Sequence, residues 1–213
     1  MDMNIEIPEV VDYAETHSSP ESTLLKRINR DTHADVRMPR MLSGHLQGRF
    51  LSMISHMIRP KSILEIGTFT GYSALCMAEG LAPGGTLVTI DNNDELETRV
   101  RGYFSESPWN SQIDFRIGDA RKVVPTLQGP FDLVWIDADK ENYSLYFDLV
   151  IDKVPAGGYL LADNVLWSGK VLEPNSDKDT RAIQQFNEKV KLDARVETML
   201  LPLRDGVMIM RRI

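Results

Sequence analysis

Two apolar runs, Phe131–Ile136 and Gly158–Ala162, each end in oxygen-bearing side chains: Asp137-Ala138-Asp139-Lys140 after the first, Asp163-Asn164 after the second. Asp137, Asp163 and Asn164 together offer hard oxygen donors. Such a set suits Mg²⁺, or another divalent cation such as Mn²⁺ or Ca²⁺, and leaves positions for water or substrate oxygens, whereas zinc would favour His or Cys. No compact His/Cys spacing competes, because His17, His33, His45 and His56 are scattered, and only His33 and His45 could fold back towards the site. Each acid taken singly also fits a helix cap. The conjunction at two neighbouring strand ends is harder to attribute to capping. Lys140 is placed either to reach a substrate at that cation or to be an ordinary exposed lysine.

A second constellation runs from Ile63 to Ser73. Ile63, Leu64 and Ile66 form a short apolar strand carrying Glu65 near its end, and Gly67 and Gly71 then turn the chain towards a helix. In an open α/β sheet ligands sit outside the carboxyl ends of the strands, so Glu65, Gly67 and Ser73 are expected to line a crevice. The glycines do not follow the G-x-G-x-x-G spacing of a dinucleotide site. S-adenosylmethionine has no pyrophosphate, and its ammonium, carboxylate and ribose diol suit an acidic strand end with exposed backbone groups. An ordinary strand-to-helix turn is the alternative. Asp91, after Thr86–Ile90, is placed to accept from a ribose diol or to cap a helix over 93–104. Gly118-Asp119-Ala120 similarly offers an adenine edge or a capped helix start.

The elements that must hold these residues alternate from Lys61 to about Leu192, with strands near 61–66, 86–91, 112–117, 131–136 and 158–163 and helical patterns between. This predicts an α/β fold: a doubly wound, mostly parallel seven-stranded sheet covered on both faces. Residues 195–201 and 206–212, meeting at Arg204-Asp205-Gly206, supply the last two strands as a C-terminal antiparallel hairpin. Before the sheet, helices are expected over 20–30, opened by Ser19 and Pro20, and over 43–58. One domain, 1–213, follows, with residues 1–60 as a helical cap and 61–213 as the α/β core. Met38, Met41, Met53 and Met57 read as a packed helix face, Met41 also as a site residue. Tyr143 and Tyr146 read as packing. Residues 165–179 read as a loop over an acceptor, with Trp167 stacking on it or packing within the protein.

Composition narrows the classes. A chain of 213 residues with 42% hydrophobic residues supports one sizeable core, and its apolar segments are too short to span a membrane. The net charge of −7 without a long basic block disfavours nucleic acid as a partner. Cys76 is the single cysteine, and Met1–Glu9 shows no secretory pattern, so a reducing, cytoplasmic setting is expected.

Taken together, Met41–Met53, the Glu65-to-Ser73 loop, Asp91, Asp137–Lys140, Asp163–Trp167 and the tail from Asp205 to Ile213 resemble the class I S-adenosylmethionine-dependent O-methyltransferases of the divalent-metal type, typified by caffeoyl-CoA and catechol O-methyltransferases. The resemblance covers nearly the whole chain. It implies a Rossmann-like methyltransferase fold and transfer of a methyl group to one hydroxyl of a vicinal dihydroxy, catechol-like aromatic small molecule. It places Met41, Ser43, Glu65, Gly67, Thr68, Ser73, Asp91, Ala120 and Asp139 on the cofactor, Asp137, Asp163 and Asn164 on the metal, and Ser168 and Trp167 on the substrate. Lys140 and Asp137 become catalytic, with Lys140 as the base. A homodimer is also implied. Residues 1–40 lack the acyl-CoA contacts of the plant enzymes and resemble the shorter bacterial members. Other readings are methylation of a hydroxylated nucleoside in transfer RNA, a nicotinamide dehydrogenase lacking its glycine fingerprint, and a non-catalytic dimeric cofactor-binding module.

Overall fold

The computed structural model describes residues 7–174 and 177–213; the first six residues of the expected cap and residues 175–176 of the expected 165–179 loop lie outside the described residues. Three helices, α1 (Pro8–Thr16), α2 (Thr23–Asp35) and α3 (Gly44–Ile58), precede the sheet. Strands and helices then alternate: β1 (Ser62–Ile66), α4 (Tyr72–Ala78), β2 (Thr86–Asp91), α5 (Glu97–Ser105), β3 (Ile113–Ile117), α6 (Ala120–Val123), β4 (Leu133–Ile136), α7 (Tyr143–Val150), β5 (Tyr159–Ala162) and α8 (Lys178–Leu192). The hairpin strands β6 (Val196–Leu201) and β7 (Val207–Arg212) close the chain. The sheet order is β3-β2-β1-β4-β5-β7-β6, with β1 to β5 parallel and β7 antiparallel to both of its neighbours. The expected seven-stranded, doubly wound sheet with its terminal hairpin is present.

Alternation along each strand divides the core between two faces. Leu64, Ile66, Val134, Ile136 and Leu160 point towards α6, α7 and α8, where Val124, Phe147, Val150 and Phe186 meet them. Ile63, Leu87, Leu133, Trp135 and Leu161 point the other way, towards α4, α5 and the N-terminal helices, through Leu25, Leu51, Leu75 and Phe104. Helix α4 is buried at every residue. Helix α3 covers it closely, since a Cβ on Gly48 would stand 2.6 Å from the Tyr72 ring.

Two expectations for the N-terminal region are corrected. Helix α2 is capped by Ser22, whose side chain accepts from Leu25 N at 3.2 Å, whereas the carbonyl of Ser19 is taken by His45 Nε2 at 2.8 Å. Ser22 lies immediately before the first helical residue, Thr23, and three residues before Leu25, the first of the buried Leu25-Ile28-Thr32 stripe. Nor do Met38, Met41, Met53 and Met57 form a packed face, for each is 51% to 79% exposed. Helix α3 turns Gln47, Gly48, Leu51, Ser52 and Ser55 inwards, so Met53 and Met57 fall on its other side, while Met38 and Met41 precede the helix. Helix α1, absent from the sequence reading, buries none of its residues.

Glu65 occupies an unusual place in this frame. It pairs with Thr89 on β2 and Trp135 on β4, and so points with them to the α4 face. There it is fully buried and accepts from Ser73 Oγ at 2.5 Å and from Thr89 Oγ1. Burial, opposed by these two hydroxyls, pushes its carboxyl up to about 8. The next residue but one, Gly67, has φ +103°, and a Cβ there would lie 1.8 Å from the carbonyl oxygen of Asp137. The turn after β1 thus runs against the end of β4, backbone to backbone.

Gly67→Ala is therefore expected to cost more than about 3 kcal/mol, measured by denaturant unfolding, because neither backbone can yield without breaking strand pairing. For Glu65 the raised folded value means that its contribution to stability is fully present below the ordinary carboxyl range and is lost as pH rises towards about 8. Glu65→Gln should consequently gain on the parent chain by roughly 1 kcal/mol per pH unit between about pH 5 and about pH 8. Parallel pH–stability curves for the two proteins would refute it.

Candidate active site

A cavity of about 1000 Å³ opens at the carboxyl ends of the parallel strands. Met41, Ser43, Gly67, Thr68, Ser73, Asp91, Ala120, Asp137, Asp139, Lys140, Asp163, Asn164, Trp167 and Ser168 all line it. Glu65 does not. Strand alternation aims it beneath the first turn of α4, so it touches the wall residue Ser73 from behind. His33 and His45 stay away from the cavity and bond instead to the carbonyls of Asn29 and Ser19.

The loop after β1 is held by the acid at the end of β2. Asp91 accepts from Thr68 N at 3.0 Å, Phe69 N at 2.7 Å and Asn93 N at 2.9 Å, which fixes the backbone that faces the cavity. A carboxylate has about four acceptor positions, so one further donor can be met. Asp119 caps α6 through Arg121 N at 2.9 Å and pairs with the Arg121 guanidinium at 2.8 Å, while Ala120 and Arg121 face the cavity. Asp139 is bonded on one oxygen by Asn142 and on the other by the hydroxyl of Tyr146.

The register of β4 and β5, with Ile136 opposite Ala162, sets Asp137 and Asp163 side by side just past the strand ends. Asp163 is 3% exposed, and its Oδ1 is buried without a hydrogen-bond partner. Burial, helped by the charge of Asp137, pushes its carboxyl up to about 7. Asn164, beside it, has a left-handed backbone at φ +57°. Among the described residues no three His, Cys, Asp or Glu side chains gather closely enough to hold a metal. The oxygen set here is two carboxylates and a carboxamide. An orphaned buried carboxylate oxygen beside two more hard donors fits a divalent cation of the Mg²⁺ type. Lys140 is no ordinary surface lysine, since its side chain is only 10% exposed. Its Nζ lies 3.2 Å from Asp137 Oδ1 and 2.6 Å from the Tyr143 hydroxyl, which itself donates to Asp163 O at 3.1 Å.

The opposite wall comes from distant parts of the chain. Trp167 and Ser168 belong to a strained stretch in which both have positive φ, and the Trp167 ring faces Lys140 Nζ at 5.9 Å. The Asp205 carboxylate accepts from Ser168 N. Arg204 donates to the carbonyls of Leu42 and Ser43 and, at 2.7 Å, to Gln47 Oε1, which ties the hairpin turn to the start of α3. Sequence reasoning missed Arg204 and Asp205 as site residues, and it took Tyr143 and Tyr146 as packing alone. For the tyrosines a signal existed: Tyr143 lies three residues beyond Lys140, and Asn142 and Tyr146 lie three and seven beyond Asp139, which is helical spacing. Nothing comparable marked Arg204.

Residues 15–213 match the sequence profile of an O-methyltransferase family. The chain is 36% identical over 198 residues to a caffeoyl-CoA O-methyltransferase of Mesembryanthemum crystallinum, covering 86% of this chain and 78% of that one. It is 35% identical over 167 residues to the catechol O-methyltransferase domain-containing protein 1 of Mus musculus, covering 76% and 64%. Among solved structures, the SAH-bound methyltransferase of Podospora anserina superposes with a TM-score of 0.89 at 28% identity, covering 97% of this chain and 94% of that one. The O-methyltransferase of Bacillus cereus in complex with SAH gives 0.88 at 27%, covering 96% and 97%. The cavity lies outside the carboxyl ends of the parallel strands, where open α/β sheets take their ligands; the chain belongs to this O-methyltransferase family and is an S-adenosylmethionine-dependent enzyme.

Proposed function

We propose that the acceptor is a vicinal dihydroxy aromatic small molecule and that one of its hydroxyls is methylated with Lys140 Nζ as general base. The observation that carries this reading is the partnerless, buried Oδ1 of Asp163 beside Asp137, Asn164 and Lys140. Asp137, Asp163 and Asn164 would hold a divalent cation such as Mg²⁺, Mn²⁺ or Ca²⁺, whose chemistry there is to acidify a bound hydroxyl and to fix two adjacent oxygens. S-adenosylmethionine supplies a methyl group already activated on a sulfonium. The protein's own residues then have three tasks: to place the donor, to place the acceptor and to take one proton.

Met41, Ser43, Gly67, Thr68, Ser73, Asp91, Ala120 and Asp139 face the donor in this reading, and Glu65 supports it through Ser73. Trp167 and Ser168 stand on the acceptor side, where an indole face suits an aromatic ring. Lys140 Nζ receives the hydroxyl proton as the acceptor oxygen bonds to the methyl carbon and the carbon–sulfur bond breaks. Most of the rate comes from alignment and exclusion of water. The exposed Val10 and Tyr13 on α1 and Met53 and Met57 on α3 support a homodimer as part of the same reading, and the single cysteine supports a cytoplasmic setting. Among the described residues no helix is long and apolar enough to cross a membrane.

The test is transfer of labelled methyl from S-adenosylmethionine to a panel of catechols, monophenols and transfer RNA, with Mg²⁺ and with chelator. Labelling confined to catechols and abolished by chelator is expected; labelling of transfer RNA alone would replace the reading. Asp163→Ala and Asn164→Ala should lose Mg²⁺ binding in calorimetry and lose transfer while retaining the donor, and Lys140→Ala should lower kcat by about 100-fold or more. Full activity of the Asp163 and Asn164 variants in chelator would remove the cation from the mechanism.

A further inference from the structure

We propose that Tyr143 is a positioning residue for the proton transfer: its hydroxyl fixes the direction in which Lys140 Nζ faces the cavity. This rests on Lys140 being the base. Besides its carbon, the nitrogen of a lysine side chain has three tetrahedral directions. Asp137 Oδ1, at 3.2 Å, and the Tyr143 oxygen, at 2.6 Å, accept two N–H bonds. One direction remains, the one along which a proton is exchanged, and Lys140 lines the cavity while Tyr143 does not.

The polarity of the contact matters as much as its length. A phenol able to turn could donate its proton into the amine lone pair and block the base. Here its proton is committed elsewhere, to the backbone carbonyl of Asp163 at 3.1 Å. Towards Lys140 the phenol oxygen can only accept. Because that carbonyl sits at the end of β5, one residue past the Ile136–Ala162 register pair, the pairing of β4 with β5 orients the hydroxyl, and the hydroxyl orients the amine. The rest of the ring is held by burial and by an edge contact with Phe186, 5.4 Å between centroids at 85°. Lys140 Nζ stands 4.7 Å from the Tyr143 ring centroid, at its hydroxyl end, so removing the hydroxyl removes the acceptor on that side of the amine.

Tyr143→Phe keeps the ring and its packing and deletes only the hydroxyl. Measured with the catechol accepted in the panel above, kcat is expected to fall about 10-fold to 100-fold, as misplacement of a reacting group does, with KM for both substrates and the dissociation constant of S-adenosylmethionine within about two-fold of the parent. The discriminating measurement is a double-mutant cycle with Lys140→Ala. If the hydroxyl acts through Lys140, Tyr143→Phe has no further effect on kcat once the lysine is gone. An equal fall in kcat in both backgrounds, an unchanged kcat in the parent background, or collapse of donor binding in Tyr143→Phe would each overturn the proposal. A Lys140→Ala variant with the parent kcat would instead overturn the reading of Lys140 as base, whatever Tyr143 does.

Discussion

The parallel pairing of β1 with β4 is the constraint on which the cavity depends. The chain leaves β1 for β2 on one side and returns to β4 on the other, and α4 and α7 pack on opposite faces of the sheet. No helix covers the edge between them, so a crevice opens there. Its floor is where the Gly67 turn meets the Asp137 carbonyl, too close for any side chain. Everything with chemical character then hangs from neighbouring strand ends: Asp91 from β2, Asp137 from β4, Asp163 from β5. Separating β1 and β4 would scatter all three.

Burying carboxylates is costly, and the way each is compensated separates scaffold from reagent. Asp91 is met by three backbone amides, and its work on the loop is visible in the protein alone. Glu65 is met by two hydroxyls in a fully buried row, and its raised value makes the neutral acid the form that the fold prefers. Asp163 is different, because one oxygen finds nothing in the protein to accept from. A structural carboxylate at 3% exposure would have been paired or replaced by an apolar side chain. In the proposed reading this half-satisfied acid on the cavity wall is the one that a cation would complete.

The strands and the acids at their ends were legible because a buried parallel strand must be a short apolar run, and the polar residue that follows it stands out. Asp137, Asp163 and Asn164 are readable for that reason. Glu65 was legible as a residue but not in its direction: strand alternation turns it away from the crevice, and only pairing with Thr89 and Trp135 shows which way the row faces. The methionines misled because α3 buries Gln47, Gly48, Ser52 and Ser55, small or polar residues that let it approach α4 closely, so apolar character marks the wrong side of this helix. Tyr143 looked like packing, which it also is; its hydroxyl gained a role from the carbonyl of a residue twenty positions away.

The wall that carries Asn164, Trp167 and Ser168 was least legible, for a physical reason. Asn164, Trp167 and Ser168 adopt left-handed backbones, each unfavourable for a residue with a side chain, so local preference alone would not build this stretch. It is held from two sides. The hairpin turn contributes the Asp205 carboxylate on Ser168 N and the carbonyls of Asp205 and Gly206 on Leu166 N and Val165 N. Helix α8 contributes Asn187 on Val165 O and Gln184 on Val171 O, at 2.8 and 2.9 Å. Trp167 and Ser168 therefore take their places from the hairpin turn and from helix α8, and a change in either moves the wall that the proposed reading gives to the acceptor. In the proposed reading most of the donor side is built from the ends of parallel strands, and it can stay constant while acceptors differ. Family membership accordingly carries the methyl donor with it, and on the proposed reading the choice of acceptor lies in how the stretch from Asn164 to Ser168 meets the hairpin turn and helix α8.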